Sequence, residues 1–375
     1  MNLRIAMVGA CPYPAPQGSQ VFLRNTAKCL EQLGHEVHLV VYGYGVGSEQ
    51  SGEFVHRAAR VPFARKTAPG PSFAKPFQDI TLAAELRRVI RDQRIQVVCA
   101  HNYEALLAAL AVRKRPILYF AHNAMSDELP HFFNGIGAAA KFGRLLDRCF
   151  PRQADKVIAP HNRLAGHLVV RGCLQERVEV VPPPVDAQLF TPAPVDASAI
   201  PPVIYTGNLD AYQNLPLLFA AMKEVRRKKP GVRLVIGTAE KGHFPDAEVT
   251  AIAGFDALHQ FLSRDAVFAA PRVSWSGYPI KMLNAMAAGK AVVACESAAY
   301  PLVNGETGLV VPDDDVEAYA AALLRLIEDS HLRAELGARA RQVILEQHRP
   351  DVVGQQLGQI ALDAYERYTA QSASP

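Results

Sequence analysis

Short apolar runs and amphipathic stretches alternate along this chain almost from end to end. The first run, residues 3–10, is followed by Val21, Leu23, Ala27, Leu30 and Leu33, then by Gly34 and a second run at 37–41. Apolar residues three and four apart mark a helix face, whereas an unbroken short run marks a strand buried on both sides. Further runs of that kind stand at 97–100, 117–121, 157–159 and 178–181. A passage without periodicity comes next, from Pro182-Pro183-Pro184 to Pro201-Pro202. Alternation resumes with runs at 203–206, 232–236, 267–269 and 291–295, and three helical stretches come after Asp315. Two βα-alternating halves predict an α/β protein of two doubly wound, Rossmann-like domains with parallel sheets, facing each other across a cleft. The boundaries read as 1–190 for the first domain, 191–201 for a proline-rich linker and 202–350 for the second domain. Residues 351–375 read as a C-terminal helix crossing back to the first domain. Ligands of such sheets bind beyond the carboxyl ends of the strands.

A length of 375 residues suits two cores of ordinary size. The six cysteines are scattered without C-x-x-C spacing, which points to reduced thiols in a cytoplasmic protein and suggests neither zinc nor a disulfide framework. No apolar run approaches a membrane span, and MNLRIAMVGA reads as a strand rather than a signal peptide. Charge is uneven: residues 1–195 carry +8 and 196–375 carry −4, within a net charge of +4. In the basic half, Lys141, Arg144, Arg148 and Arg152 are set among Phe142, Leu145, Leu146 and Phe150. Such a basic amphipathic helix suits the anionic inner face of a membrane; an ordinary helix with a solvated basic face is the equal alternative. Nucleic acid is a poor partner, because no basic groove is interleaved with aromatics and the second half is acidic.

The segment from Pro271 to Asp315 holds the most chemistry. It reads as loop, helix, glycine turn, buried strand, short helix, turn and strand. Pro279 suits a helix start, because the N–H it lacks has no intrahelical partner there, and Gly289 suits the left-handed position past the helix end. A ligand beside Pro279 meets free N–H groups, the positive end of a helix dipole and the Lys281 ammonium, which together make a phosphate site.

Asn284-Ala285-Met286-Ala287-Ala288-Gly289-Lys290-Ala291-Val292-Val293 resembles the nucleotide-sugar core of retaining GT-B glycosyltransferases, family 4 and its relatives. Val180 to Pro192, Pro14 to Val37, Tyr205 to Leu209 and Asn304 to Pro312 resemble further segments of that family, in the same order. The resemblance implies a glycosyltransferase of the hexosyltransferase type. Its donor would be a nucleoside diphosphate sugar, UDP rather than GDP, and its acceptor a saccharide or a lipid-linked one. Transfer would proceed with retention and without a metal or other cofactor. A nucleotide-sugar epimerase on the same fold and a non-catalytic relative are the alternatives. The family's two motif glutamates are replaced by Ser276 and Asn284, and its arginine and lysine after the first strand of the second domain by Asn208 and Asn214. A leaving diphosphate still needs positive charge. Lys281 is the expected source, with Arg272 second.

Donor binding is therefore expected at Gly18, Gly207, Asn208, Ser276, Gly277, Tyr278, Pro279, Ile280, Lys281 and Asn284, with Asn284 on the ribose. A neutral Ser276 in place of a glutamate would tolerate an acidic sugar, although a neutral hexose is the expected donor. His101 and His122 end strands on the cleft side; His122 matches the family's near-sugar histidine and is the expected catalytic residue, alongside Lys281. Acceptor-side candidates are His101, Asn123, Asp127 and Glu128. Asp313-Asp314-Asp315 precedes a helix and reads as capping rather than as a metal site.

Overall fold

The apolar runs form strands and the periodic stretches form helices, in the order expected for two doubly wound units. The computed structural model describes residues 1–14, 18–45, 52–62, 74–133, 135–240, 242–252 and 254–373. The first unit comprises residues 1–184 and 350–375, the second 185–349.

In the first unit the strands are β1 (Arg4–Gly9), β2 (Glu36–Val41), β3 (Phe54–Arg57), β4 (Val97–His101), β5 (Ile117–Phe120), β6 (Lys156–Ala159) and β7 (Val178–Val180). They pair in parallel in the order β3-β2-β1-β4-β5-β6-β7. Its helices are α1 (Gly18–Gln32), α2 (Lys75–Asp92), α3 (Tyr103–Val112), α4 (Met125–Glu128), α5 (Ile136–Cys149) and α6 (Asn162–Val170). In the second unit β8 (Val203–Thr206), β9 (Leu234–Thr238), β10 (Glu248–Ala251), β11 (Val267–Ala270), β12 (Ala291–Cys295) and β13 (Leu309–Val311) pair in parallel as β10-β9-β8-β11-β12-β13. Here lie α7 (Leu215–Lys228), α8 (Phe255–Leu262), α9 (Ile280–Ala287), α10 (Val316–Glu328) and α11 (Ser330–Gln347). The last helix, α12 (Pro350–Ala373), returns to the first unit and packs on α1, where Gly354 lies against the Cys29 backbone.

Each order reverses direction once, between β1 and β4 in one sheet and between β8 and β11 in the other. A crevice opens at the carboxyl ends beside such a switch point, so the topology alone nominates the residues after these strands. The strands β3 and β10 were not legible in the pattern. Both are four-residue edge strands, and their half-exposed or exposed residues carry no continuous apolar run.

The proline-rich linker expected at 191–201 falls within the second unit. The chain passes from one unit to the other at Pro184–Val185, and the residues from Val185 onward belong to the second unit. The Asp196 N–H donates to Asp265 Oδ2 at 3.0 Å, and Arg341 donates to the carbonyls of Ala187 and Phe190 at 3.2 and 3.0 Å. Asp265 also takes both sides of the buried Arg333 guanidinium at 3.1 and 3.2 Å. Proline removes donors, so the strap is held largely by its carbonyls, which Arg341 reaches, with the Asp196 N–H as a further tie.

Candidate active site

At the switch point of the second sheet, β8 ends in Thr206 and the backbone turns through Gly207 at φ +132°, a region that L side chains rarely adopt. The missing Cβ matters for a second reason, because one built there would run into the Lys281 side chain. Lys281 lies in the first turn of α9, half-buried, and its Nζ donates to Tyr205 Oη at 3.0 Å and to Asn208 Oδ1 at 3.4 Å. The ammonium also stands 4.9 Å from the centre of the Tyr205 ring. Burial pushes the Lys281 pKa well below its usual value and the nearby Arg272 pushes it the same way, against Asp210 and Glu240. Asn208 is held in turn by Gln213 Nε2 at 2.7 Å, by Tyr212 Oη at 2.9 Å and by Asp210. Arg272, just past β11, is braced by Ser274 and lies 5.2 Å from the Tyr212 ring centre. The cluster thus gathers an ammonium and a guanidinium beside a helix start.

The helix is set as its sequence dictates. Pro279 is its N-cap, and Gly289, at φ +66°, ends it, with the Lys290 N–H reaching back to the Ala285 carbonyl at 3.0 Å. Asn284, one turn beyond Lys281, is buried, and among the described residues its side-chain amide has no hydrogen-bond partner. An amide so placed is available to a ligand hydroxyl.

In the first unit, β4 ends in His101 and the chain after β5 reaches His122. His101 Nδ1 and His122 Nε2 are 3.1 Å apart. Phe120 stacks on His101 with ring centres 4.1 Å apart, and Phe22 of α1 lies 4.9 Å from the His122 ring. Burial and the neighbouring imidazole push His101 well below the usual histidine range, and burial takes His122 down to about 4. Both rings are therefore neutral at neutral pH and share one proton between the facing nitrogens. His101 Nε2 is buried without a partner among the described residues. Beyond them, Asp147 of α5 accepts the N–H groups of Met125 and Ser126 at 2.8 and 3.1 Å, and His167 Nε2 lies 3.1 Å from the same carboxylate. This satisfies orphan donors at the start of α4. Gly143 lets α5 approach, since a Cβ there would meet the Met125 backbone.

Comparison with known proteins agrees with both halves. Residues 16–189 match the family model described as Glycosyltransferase Family 4, and residues 200–329 match Glycosyl transferases group 1. A phosphatidyl-myo-inositol mannosyltransferase of Mycolicibacterium smegmatis is 26% identical over 93% of this chain and 90% of its own length. A putative colanic acid biosynthesis glycosyltransferase of Salmonella typhimurium is 23% identical over 92% and 97%. The chain is a glycosyltransferase. Its two Rossmann-like units are those of the GT-B fold: sucrose-phosphate synthase from Thermosynechococcus elongatus superposes with a TM-score of 0.80 over 99% of this chain and all of the other, at 17% identity. Anabaena HepE in complex with UDP and glucose gives 0.73 over 96% and 99%, also at 17% identity.

The structure of this glycosyltransferase brings Gly207, Asn208, Pro279, Ile280 and Lys281 together around α9 and the end of β8, with Asn284 one turn on. It turns others away. Tyr278 points into the core, its hydroxyl 3.3 Å from the buried His348, so its ring is not offered to a donor. Ser276 is fully buried, which removes the basis for an acidic sugar facing its side chain, and Gly277 beside it is buried too. Asn214 sits at φ +54° and donates to Asp314, so it serves a turn and not a diphosphate. Asp315 caps α10 through the Ala318 N–H at 2.9 Å, and Asp313 takes the Ser297 N–H. Asn123 donates to Glu128 at 2.9 Å, Asp127 is half-buried in α4, and Gly18 is the exposed first residue of α1. Tyr205, Gln213 and the Asp147–His167 pair were missed. Only Tyr205 left a signal, as a polar-tipped residue next to last in a buried strand that a glycine follows.

Gly207→Ala tests the packing of this cluster without any ligand. The added methyl group meets both an unfavourable φ and the Lys281 side chain, for an expected loss of about 1–3 kcal/mol in urea unfolding. The loss should shrink in a Lys281→Ala background, because the two residues touch. Equal losses in both backgrounds would mean that Lys281 does not rest on Gly207.

Proposed function

We propose that this glycosyltransferase moves a hexose from a uridine diphosphate sugar to a saccharide or lipid-linked acceptor, with retention and without a resident metal. The Lys281 cluster carries the reading. As the bond from the sugar to the diphosphate breaks, negative charge gathers on the leaving phosphate, and Lys281, Arg272 and the start of α9 offer positive charge at one place. Asn284, with its unpaired amide, takes a ribose hydroxyl in place of the family's glutamate. His122, neutral, hydrogen-bonds the sugar being transferred. The acceptor oxygen attacks the face from which the phosphate departs, the new glycosidic bond forms as the old one breaks, and the leaving phosphate takes the acceptor's proton. Incubation with UDP-hexoses and GDP-mannose, followed by NMR of the anomeric centre, tests this. Release of UDP with a product of the donor's own anomeric configuration is expected. An inverted product, an isomerised donor or no turnover with any donor would overturn it.

The lipid-linked acceptor and a station at the inner face of the membrane rest on α5. Ile136, Phe142 and Leu145 are 67%, 56% and 54% exposed, beside Lys141 and Arg148, which are also exposed. Arg152 is exposed as well, while Arg144 is half-buried. Exposed apolar side chains rimmed by cations suit an anionic bilayer surface, and one relative's name specifies phosphatidyl-myo-inositol. Among the described residues no helix is long and apolar enough to cross a membrane. Vesicles containing phosphatidylglycerol should sediment the protein in a salt-sensitive manner, and Phe142→Ser/Leu145→Ser should weaken that binding about tenfold. Protein left in the supernatant at low salt would remove the lipid acceptor from the proposal.

A further inference from the structure

The carboxyl ends of the first sheet hold His101 and His122. Its amino ends hold something different. Two concavities of about 460 and 570 Å³ lie there and share Arg94 and Arg115. Arg4 comes from the start of β1, Arg115 from just before β5, Arg87, Arg91 and Arg94 from the last turns and end of α2, and Lys114 from the turn after α3. Acidic neighbours are few. Glu36 lies 3.5 Å from Arg4 and Asp92 lies 2.7 Å from Arg91. Among the described residues Arg87, Arg94 and Lys114 have no acidic partner.

Two details separate this trough from a merely solvated basic face. Arg115 is fixed before any ligand arrives: its guanidinium donates to the Ile95 carbonyl at 2.6 Å and to the Lys114 carbonyl at 2.8 Å. The Tyr368 hydroxyl of α12 donates to that same Lys114 carbonyl at 3.1 Å, and places Tyr365, Tyr368 and Thr369 along the wall. Arg94 occupies the left-handed position past the end of α2, at φ +52°, with the Ile95 N–H reaching back to the Ile90 carbonyl at 3.1 Å. Glycine or asparagine fills that position at lower conformational cost. The helix dipole favours cations at the end of α2, which accounts for Arg91 and Arg94. It does not account for Arg4, Lys114 and Arg115, which converge from other elements.

We propose that this trough binds a soluble phosphate-bearing ligand with several negative charges, at residues separate from those assigned to the donor. Guanidinium groups match phosphate oxygens with paired N–H donors, and the wall hydroxyls add neutral contacts. The two concavities share Arg94 and Arg115, and a concave basic surface fits an oligophosphate and not a flat bilayer.

Inorganic triphosphate, titrated calorimetrically into the full-length protein in the presence of excess UDP, is the test. One triphosphate per chain is expected, with affinity that falls as salt rises. Arg94→Asn removes the charge yet suits the left-handed backbone, so the variant should fold, and its affinity should drop about tenfold. Adding Arg87→Gln should lower it again, whereas Lys141→Gln/Arg148→Gln on α5 should leave it unchanged. Absence of saturable binding at low salt, an affinity unaltered by Arg94→Asn, or a loss caused by the α5 variant instead would each overturn the proposal.

Discussion

Replacing His122 by alanine should lower turnover about a hundredfold while leaving UDP affinity within a few-fold, since the nucleotide contacts are assigned to residues of the second unit. The magnitude is that of removing one pre-organised hydrogen-bonding group from a transition state. Its basis is geometric: His122 comes directly after β5, is oriented by His101 at 3.1 Å, and is packed by Phe22. The pH dependence gives a second readout. A neutral imidazole is required, and burial has taken His122 from 6.5 down to about 4. Turnover should therefore show no histidine step near pH 6.5 on acidification, and should fall only as the pH approaches about 4. Steady-state kinetics of the two proteins from pH 4 to 8 checks both statements. Full activity in His122→Ala, or a loss centred near pH 6.5 that disappears in the variant, would assign the residue a different role.

Lys281→Ala should weaken UDP binding tenfold or more, the equivalent of about 1.5–3 kcal/mol for one charge-assisted contact. In the free protein the Lys281 pKa lies well below its usual value, chiefly through burial. A bound diphosphate favours the charged form and raises it again. Below the free-state pKa the residue is protonated before and after binding, and affinity is greatest. As pH rises through that value, binding must take up a proton, and affinity declines until the pKa of the complex is passed. Lys281→Ala should remove this decline as well as the affinity. Calorimetry at several pH values on both proteins measures it, and an unchanged affinity in a folded variant would exclude Lys281 from the phosphates.

The fold was legible because two doubly wound units write the same signature twice: buried parallel strands as apolar runs, helices at 3.6-residue spacing. The features that escaped depend on neighbours distant in sequence. The strap after Pro184 is rich in proline and has no periodic pattern, and nothing in it announces that Arg333 and Arg341, more than a hundred residues on, hold its carbonyls. The same limit applies at the candidate site. Pro279, Lys281 and Asn284 were legible from the helix they start, and Gly207 and Asn208 from the segment they share with a known family. That Tyr205 faces the Lys281 ammonium required the crossing of two elements. Spacing likewise could not separate Ser276 and Tyr278, which are packed inward, from Asn284, whose amide is unpaired. Asn208 and Asn214 look equivalent as replacements for two cations. One is part of the Lys281 cluster, and the other serves a left-handed turn against Asp314.

The central claim, that a nucleoside diphosphate binds against Lys281 and the start of α9, is tested most directly by titrating UDP into the wild-type protein and into Lys281→Ala. Two buffers of different ionisation enthalpy are used, at a pH above the free-state pKa of Lys281. One UDP per chain is expected, with proton uptake that disappears together with most of the affinity in the variant. Binding of the same strength in both proteins, without proton uptake in either, would contradict it.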